Sequence, residues 1–178
     1  RLRVDFFFRQ LAEDQKERAI GVIRSGMGSD GTLGLQAIKE HLGATLVQDP
    51  KSAKYDGMPR SALEKGLVDF VAPAEELPTK LLDYTRQFLK IRSTEPTLEK
   101  KAFGAFQKVL LLLRTSTGQD FSLYKRNTIL RRIDRRMSIH QITSLPHSVT
   151  YLQDNPQEIK LLFQEMLIGV TNFFRDPE

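Results

Sequence analysis

The chain has 178 residues, enough for one ample core or two small ones. It is 40% hydrophobic and 28% charged with no run of 18 apolar residues, which excludes a transmembrane helix, and its lack of cysteine excludes disulfides, thiolate nucleophiles and cysteine zinc sites. The net charge of +5 is uneven: residues 1–85 carry 12 basic and 13 acidic side chains, residues 86–178 carry 15 and 9.

Arg1-Leu2-Arg3-Val4-Asp5 opens without an initiator Met or a signal-peptide pattern, and Asp176-Pro177-Glu178 follows closely on an apolar run, so both ends are expected to continue into a longer parent. Ala19 to Ile23 is a short continuous apolar stretch, the pattern of a strand buried on both faces, and it leads into the glycine-rich turn Ser25-Gly26-Met27-Gly28-Ser29-Asp30-Gly31. A helix is predicted over Thr32 to His41, with Leu33, Ala37 and Ile38 on one side and Gly43 as its stop. A strand over Ala44 to Val47, a short helix over Pro59 to Lys65 and a strand over Leu67 to Val71 complete an alternation that favours a parallel sheet with functional turns at the strands' C-terminal ends. From Ala74 a helix is predicted to about Ile91, with Leu77, Leu81, Leu82, Tyr84 and Phe88 for packing.

Ser93-Thr94-Glu95-Pro96-Thr97 is a polar, proline-containing break, which places a linker over 93–103 between an α/β domain over 1–92 and an all-α domain over 104–178. Helices are predicted over Leu98 to Thr115, Ser122 to Ile139 and Pro156 to Val170, a small bundle whose apolar positions include Phe103, Phe106, Leu113, Ile129, Ile133, Met137, Leu162 and Met166. The fold class expected is therefore α/β followed by all-α.

Three glycines directly after a buried strand let backbone amides approach a ligand, and the helix that follows adds its positive end. Read alone, the turn stays open between an ordinary tight turn with Asp30 as helix N-cap and a phosphate cradle, although it matches neither the P-loop nor the full G-x-G-x-x-G pattern. Pro59 fits the first position of a helix. Among the histidines, His41 is expected on the solvent side of the helix after the turn.

The wider sequence adds a resemblance. Gly21 to Gly31, Ala44-Thr45-Leu46-Val47-Gln48-Asp49-Pro50 and Tyr55-Asp56-Gly57-Met58-Pro59-Arg60-Ser61-Ala62 stand in an order that resembles the C-terminal half of the chemotaxis methylesterases of the CheB type, over about residues 1–85. The resemblance implies the C-terminal part of a doubly wound parallel-sheet domain. It also implies that Asp30 is the acidic member of a Ser-His-Asp triad and that the Met27 backbone N–H helps form the oxyanion hole. The family's serine and histidine would precede Arg1, and Ser25, Ser29, Ser52 and Ser61 do not stand in the nucleophile's motif, so this chain alone is expected not to hydrolyse esters. Arg24 departs from the small or apolar residue expected before Ser25.

In the second half, Leu130, Ile133 and Met137 share one helix face, and Arg126, Arg131, Arg132, Arg135 and Arg136 crowd the same segment. Such a basic amphipathic helix suits a solvated face, an acidic protein surface, or a nucleic acid or membrane. Phe121 to Glu178, including Leu167-Ile168-Gly169-Val170-Thr171-Asn172-Phe173-Phe174-Arg175-Asp176, resembles the N-terminal helical domain of chemoreceptor methyltransferases of the CheR type. This implies docking of those five arginines on the acidic methylation region of a chemoreceptor. It further implies an S-adenosylmethionine site bordered by Thr171, Phe173, Phe174 and Arg175.

The expectation is thus a cytoplasmic fusion protein that demethylates and methylates receptor glutamates, its two sites incomplete in this chain, with a non-catalytic receptor-binding or scaffold module as the alternative. No metal, nucleic acid or membrane insertion is expected. An incomplete sheet with open edges is expected to favour non-native self-association.

Overall fold

The computed structural model of the protein describes residues 2–93 and 99–168. Contacts divide the chain into two units, Arg1–Asp83 and Tyr84–Glu178.

The first unit runs α1 (Arg3–Gln15), β1 (Ile20–Ile23), α2 (Thr32–Glu40), β2 (Ala44–Gln48), α3 (Gly57–Glu64) and β3 (Phe70–Ala72), with short 3-10 turns at Lys16–Arg18 and Pro50–Ser52. The three strands form one parallel sheet in the order β1-β2-β3. Phe8 and Ala12 of α1, Leu35 and Ile38 of α2 and Ala62 of α3 close over Ile23 and Val47 as a buried cluster. Each large apolar side chain so enclosed contributes about 1.5–3 kcal/mol relative to exposure. Leu33, expected among the packing residues of α2, is 45% exposed, and Leu35 takes its place.

The helix α1 was not expected from the sequence. Its buried face is short, Asp5, Phe8 and Ala12, while Phe6 and Phe7 are exposed, so the hydrophobic pattern alone is ambiguous. What fixes it is a pair of reciprocal caps with α2. The Val4 and Asp5 amides donate to Asp30 Oδ2 and Oδ1 at 3.2 and 3.0 Å, while the Gly34 amide donates to Asp5 Oδ1 at 2.7 Å. Each carboxylate satisfies orphan N–H groups in the first turn of the other helix.

The third strand begins at Phe70 rather than Leu67. The Asp69 amide donates to the Thr45 carbonyl at 3.0 Å, and around that bond the Asp69 carboxylate accepts the Thr45 amide at 2.9 Å and the Thr45 hydroxyl donates to the Leu67 carbonyl at 2.6 Å. Regular pairing starts one step later, at Leu46 opposite Phe70.

α4 (Leu77–Ser93) carries the chain from one unit into the other. The contact division falls within it, ahead of the polar break, because Tyr84 is buried and Gln87 Nε2 donates to the Ile142 carbonyl at 2.7 Å. Residues 94–98 lie outside the described residues, and Glu99, inside the expected linker, is already helical.

The second unit adds α5 (Glu99–Thr117), α6 (Arg126–Ile139), α7 (Leu145–Asp154) and α8 (Pro156–Ile168). Phe106, Val109 and Leu113 meet Ile129, Ile133, Met137, Val149, Leu152, Ile159, Leu162 and Met166 in one buried cluster. Phe103, an expected core residue, is 50% exposed and lies with Phe106 against the Arg126 guanidinium at 5.5 and 5.4 Å. α7 was not expected: its apolar positions Val149 and Leu152 are too few to announce a helix, and they are buried only because α5 and α8 are there. Among the described residues no helix is long and apolar enough to cross a membrane.

Candidate functional site

The glycine-rich turn lies at the C-terminal end of β1, beside the segment that follows β2. Gly28 and Gly31 adopt φ values of 79° and 93°, in the left-handed region that side-chain-bearing residues avoid, and this lets the chain reverse within a few residues into α2.

The turn is stitched to the β2–α3 connection. The Gly26 amide donates to the Tyr55 carbonyl at 2.9 Å, the Met58 amide to the Gly26 carbonyl at 2.9 Å, and the Tyr55 amide to Ser25 Oγ at 2.9 Å. Gln48, 5% exposed at the end of β2, accepts the Ser25 amide at 2.9 Å and donates to the Ser52 carbonyl at 3.0 Å. A Cβ on Gly57 would stand 2.9 Å from the Gly28 nitrogen, so the two backbones touch there.

Asp30 is not the N-cap of α2; that position is Gly31, and the Asp30 carboxylate instead caps α1. Burial pushes its carboxyl up, but hydrogen bonds from the backbone amides of Asp5, Val4, Gly31 and Arg3 outweigh burial and hold it below the usual carboxylate range. It is a fixed anion, and two engaged oxygens still leave lone pairs for an imidazole N–H. Met27 is 76% exposed, and its backbone N–H donates to no group among the described residues, as an oxyanion donor requires. The amide of Gly28 is likewise unengaged.

Three serines of this unit are occupied structurally: Ser25 Oγ accepts the Tyr55 amide, Ser52 Oγ donates to the Asp49 carbonyl and Ser61 Oγ accepts from Thr32 Oγ1. His41 closes α2, with Nδ1 2.9 Å from the Ala37 carbonyl. Pro59 is the third residue of α3, where its missing N–H still falls in the first turn. In the second unit Ser144 Oγ lies 2.9 Å from His147 Nδ1, but among the described residues no carboxylate orients that imidazole.

The basic helix departs from expectation. Arg126 and Arg131 are exposed, but Arg132, Arg135 and Arg136 are 6%, 3% and 9% exposed. Arg135 Nη1 lies 2.6 Å and Arg136 Nη1 3.3 Å from Glu165 Oε1, and Arg136 Nη2 meets Glu158. Glu158 Oε2 is also 2.8 Å from His140 Nε2, whose Nδ1 lies 3.0 Å from the Tyr151 hydroxyl. Arg132 Nε and Nη1 have no hydrogen-bond partner; desolvation pushes its pKa down, with Glu165 opposing and Arg135 adding to the shift. These three arginines therefore belong to a buried ionic lattice between α6 and α8 rather than to a solvated face. The signal in the sequence was Glu158 and Glu165, seven apart and so on one face of α8 with Leu162.

Thr171, Phe173, Phe174 and Arg175 lie outside the described residues. No group of three or more His, Asp or Glu that could hold a metal occurs among the described ones.

A parallel α/β unit that presents a fixed carboxylate and free amides on the turn after its first strand, followed by a helical bundle, defines a two-part protein. Comparison with known proteins gives each part its family. Residues 1–81 match the CheB methylesterase family and residues 104–167 the CheR methyltransferase all-alpha domain, so the chain joins a CheB-type part to a CheR-type part.

An uncharacterized 104.1 kDa protein of the hypE 3' region of Rhodobacter capsulatus is 33% identical over 99% of this chain and 21% of its own length. The protein-glutamate methylesterase/protein-glutamine glutaminase of Moorella thermoacetica is 46% identical over 42% of this chain and 18% of its own length. The crystal structure of the Thermotoga maritima CheB methylesterase catalytic domain is 40% identical, with a TM-score of 0.43 over 43% of this chain and 41% of that one. The chain thus spans about a fifth of the length of these two curated relatives.

Proposed function

We propose that the parent of this chain is a bifunctional adaptation protein that hydrolyses glutamyl methyl esters of chemoreceptors and also forms them, in the cytoplasm. The observation that carries the first activity is the pairing of Asp30, a carboxylate held ionised by backbone amides, with the unengaged Met27 N–H on one glycine turn. In the reaction Asp30 accepts the N–H of a histidine, fixing its tautomer while the other nitrogen takes the proton of a serine hydroxyl. The Met27 amide then donates to the oxyanion as the carbonyl becomes tetrahedral.

For the second activity the support is the family match of the helical unit together with the sequence Thr171 to Arg175. The methyl donor would be S-adenosylmethionine, a group that supplies an electrophilic methyl to a carboxylate. Receptor docking falls to the exposed Arg126 and Arg131, while Arg132, Arg135 and Arg136 organise the surface from beneath. The chain by itself is inactive in this reading, since no serine–histidine–carboxylate set is assembled among the described residues.

The test uses the full-length parent. Methanol release from a receptor methylation-region substrate is expected to fall about a thousandfold or more in Asp30→Ala, and methyl incorporation to fall in Arg175→Ala. Receptor binding without either reaction would identify a scaffold instead, and unchanged rates in both variants would refute the residue roles.

A further inference from the structure

The rim around the Met27 amide has an unbalanced charge. Arg24 follows β1 directly, and Lys51 and Lys54 lie in the β2–α3 connection; all three are exposed. The hydrogen bonds of Ser25 and Gly26 to Tyr55 hold the two segments side by side, so these cations share one end of the sheet with the glycine turn.

Each carboxylate of the same two segments is already engaged. Asp30 takes the Val4 and Asp5 amides, Asp49 takes the Lys51 amide at 3.0 Å, and Asp56 pairs with Arg60. Arg24, Lys51 and Lys54 have no carboxylate partner among the described residues; the Lys54 ammonium lies 5.6 Å from the centre of the Tyr55 ring. Between them stand two exposed apolar groups, Met27 at 76% and Tyr55 at 49%.

We propose that this rim selects the ester's surroundings: Arg24, Lys51 and Lys54 bind carboxylates that flank the reacting glutamyl ester in an acidic polypeptide, while Met27 and Tyr55 pack on its apolar side chains. The inference rests on the esterase reading and adds to it the chemistry of the substrate's neighbours. Screening confines the effect to short range, since the Debye length at physiological salt is about 8 Å. A carboxylate several residues from the ester therefore has no influence unless the peptide lies along the rim. Exposed pairs of this kind are individually weak, each a change of about 1.4- to 5-fold, so three together give a preference of about threefold or more.

The experiment measures fluorescence anisotropy of the 178-residue chain with two labelled peptides, one carrying a methyl-glutamate flanked by glutamates and one with glutamines in those places. The acidic peptide is expected to bind about threefold tighter or more, with the difference fading as salt rises. The triple variant Arg24→Gln/Lys51→Gln/Lys54→Gln should abolish that preference. Arg9→Gln/Lys65→Gln/Lys80→Gln, an equal charge change at exposed positions elsewhere in the first unit, should keep it; circular dichroism confirms that both variants fold. Equal binding of the two peptides, no binding of either, or equal loss in the two triple variants would overturn the proposal. In the full-length parent the rim variant should raise KM with kcat unchanged. Absence of hydrolysis there with the binding preference intact would instead overturn the esterase reading and leave the rim as an acidic-peptide surface.

Discussion

Replacing Glu165 with Ala should cost the helical unit a large part of its stability. Glu165 is 4% exposed and Arg135 3%, so the pair at 2.6 Å is cut off from water, and the same oxygen also faces Arg136. Removing the carboxylate leaves Arg135 buried without that partner and takes from Arg132 the one charge that opposes its desolvation. Breaking a buried pair from one side costs about 3–5 kcal/mol. For a unit of this size that is about a third or more of the total, and at about 4–8 °C per kcal/mol the melting point falls by more than about 12 °C. The assay is a double-mutant cycle by thermal and urea denaturation, followed by circular dichroism, with Glu165→Ala, Arg135→Met and the pair Arg135→Met/Glu165→Leu. The double variant should recover only the part of the loss due to Arg135, because Arg132 and Arg136 still lose the Glu165 carboxylate. A single-variant cost under about 1 kcal/mol, the value of an exposed pair, would refute the buried lattice and return Arg135 to the solvated face.

Three further outcomes follow from the geometry. Gln48→Leu removes the acceptor of the Ser25 amide, so hydrogen exchange at Ser25 should accelerate about tenfold, and an unchanged rate would mean that Gln48 does not hold the turn. Gly57→Ala places a methyl 2.9 Å from the Gly28 nitrogen and 3.1 Å from its oxygen, and should lower the stability of the first unit by about 1–3 kcal/mol in urea titrations; no loss would refute the close approach. At Glu158 burial raises the carboxyl's pKa, but the His140 hydrogen bond and the Arg136 charge outweigh burial and hold it below the ordinary value. Its folded pKa being depressed, its contribution is complete above the ordinary glutamate range and is lost as pH falls through the depressed value. Glu158→Gln should therefore flatten the acid limb of the helical unit's stability against pH, and an unchanged limb would refute the assignment.

The parts of the fold that the sequence disclosed are those written in local patterns. Ala19 to Ile23 and Ala44 to Val47 are short, mostly apolar runs, and both supply strands of the parallel sheet, with the helix between them where periodicity placed it. What stayed hidden depends on partners distant in the chain. Helix α1 is capped by Asp30, 25 residues beyond Asp5, and the Asp69 carboxylate ahead of β3 reaches Thr45 across 24 positions. The arginine-rich helix shows the same limit more sharply. Leu130, Ile133 and Met137 announced an apolar stripe, and the arginines beside it read as solvated because they far outnumber the acids of their own helix. Asp134 is the one acid within that helix, and the counter-charges of the buried arginines, Glu158 and Glu165, lie 22 and 30 positions on. Of the candidate site, Asp30 and the Met27 amide are brought together on one turn as their motif implied, but the bonds that set the turn's position, through Gln48 and Tyr55, have no local signature.

The clasp between Asp5 and Asp30 bears on how the history of such proteins is read. An aspartate at position 30 fastens the first helix whether or not a histidine ever leans on it, so losing it would loosen the first unit even in a lineage that had given up hydrolysis. Natural selection for folding alone can then preserve the residue long after its chemical duty has lapsed. A surviving aspartate in this turn testifies to an intact helix pair, and the serine and histidine are the witnesses to consult about chemistry.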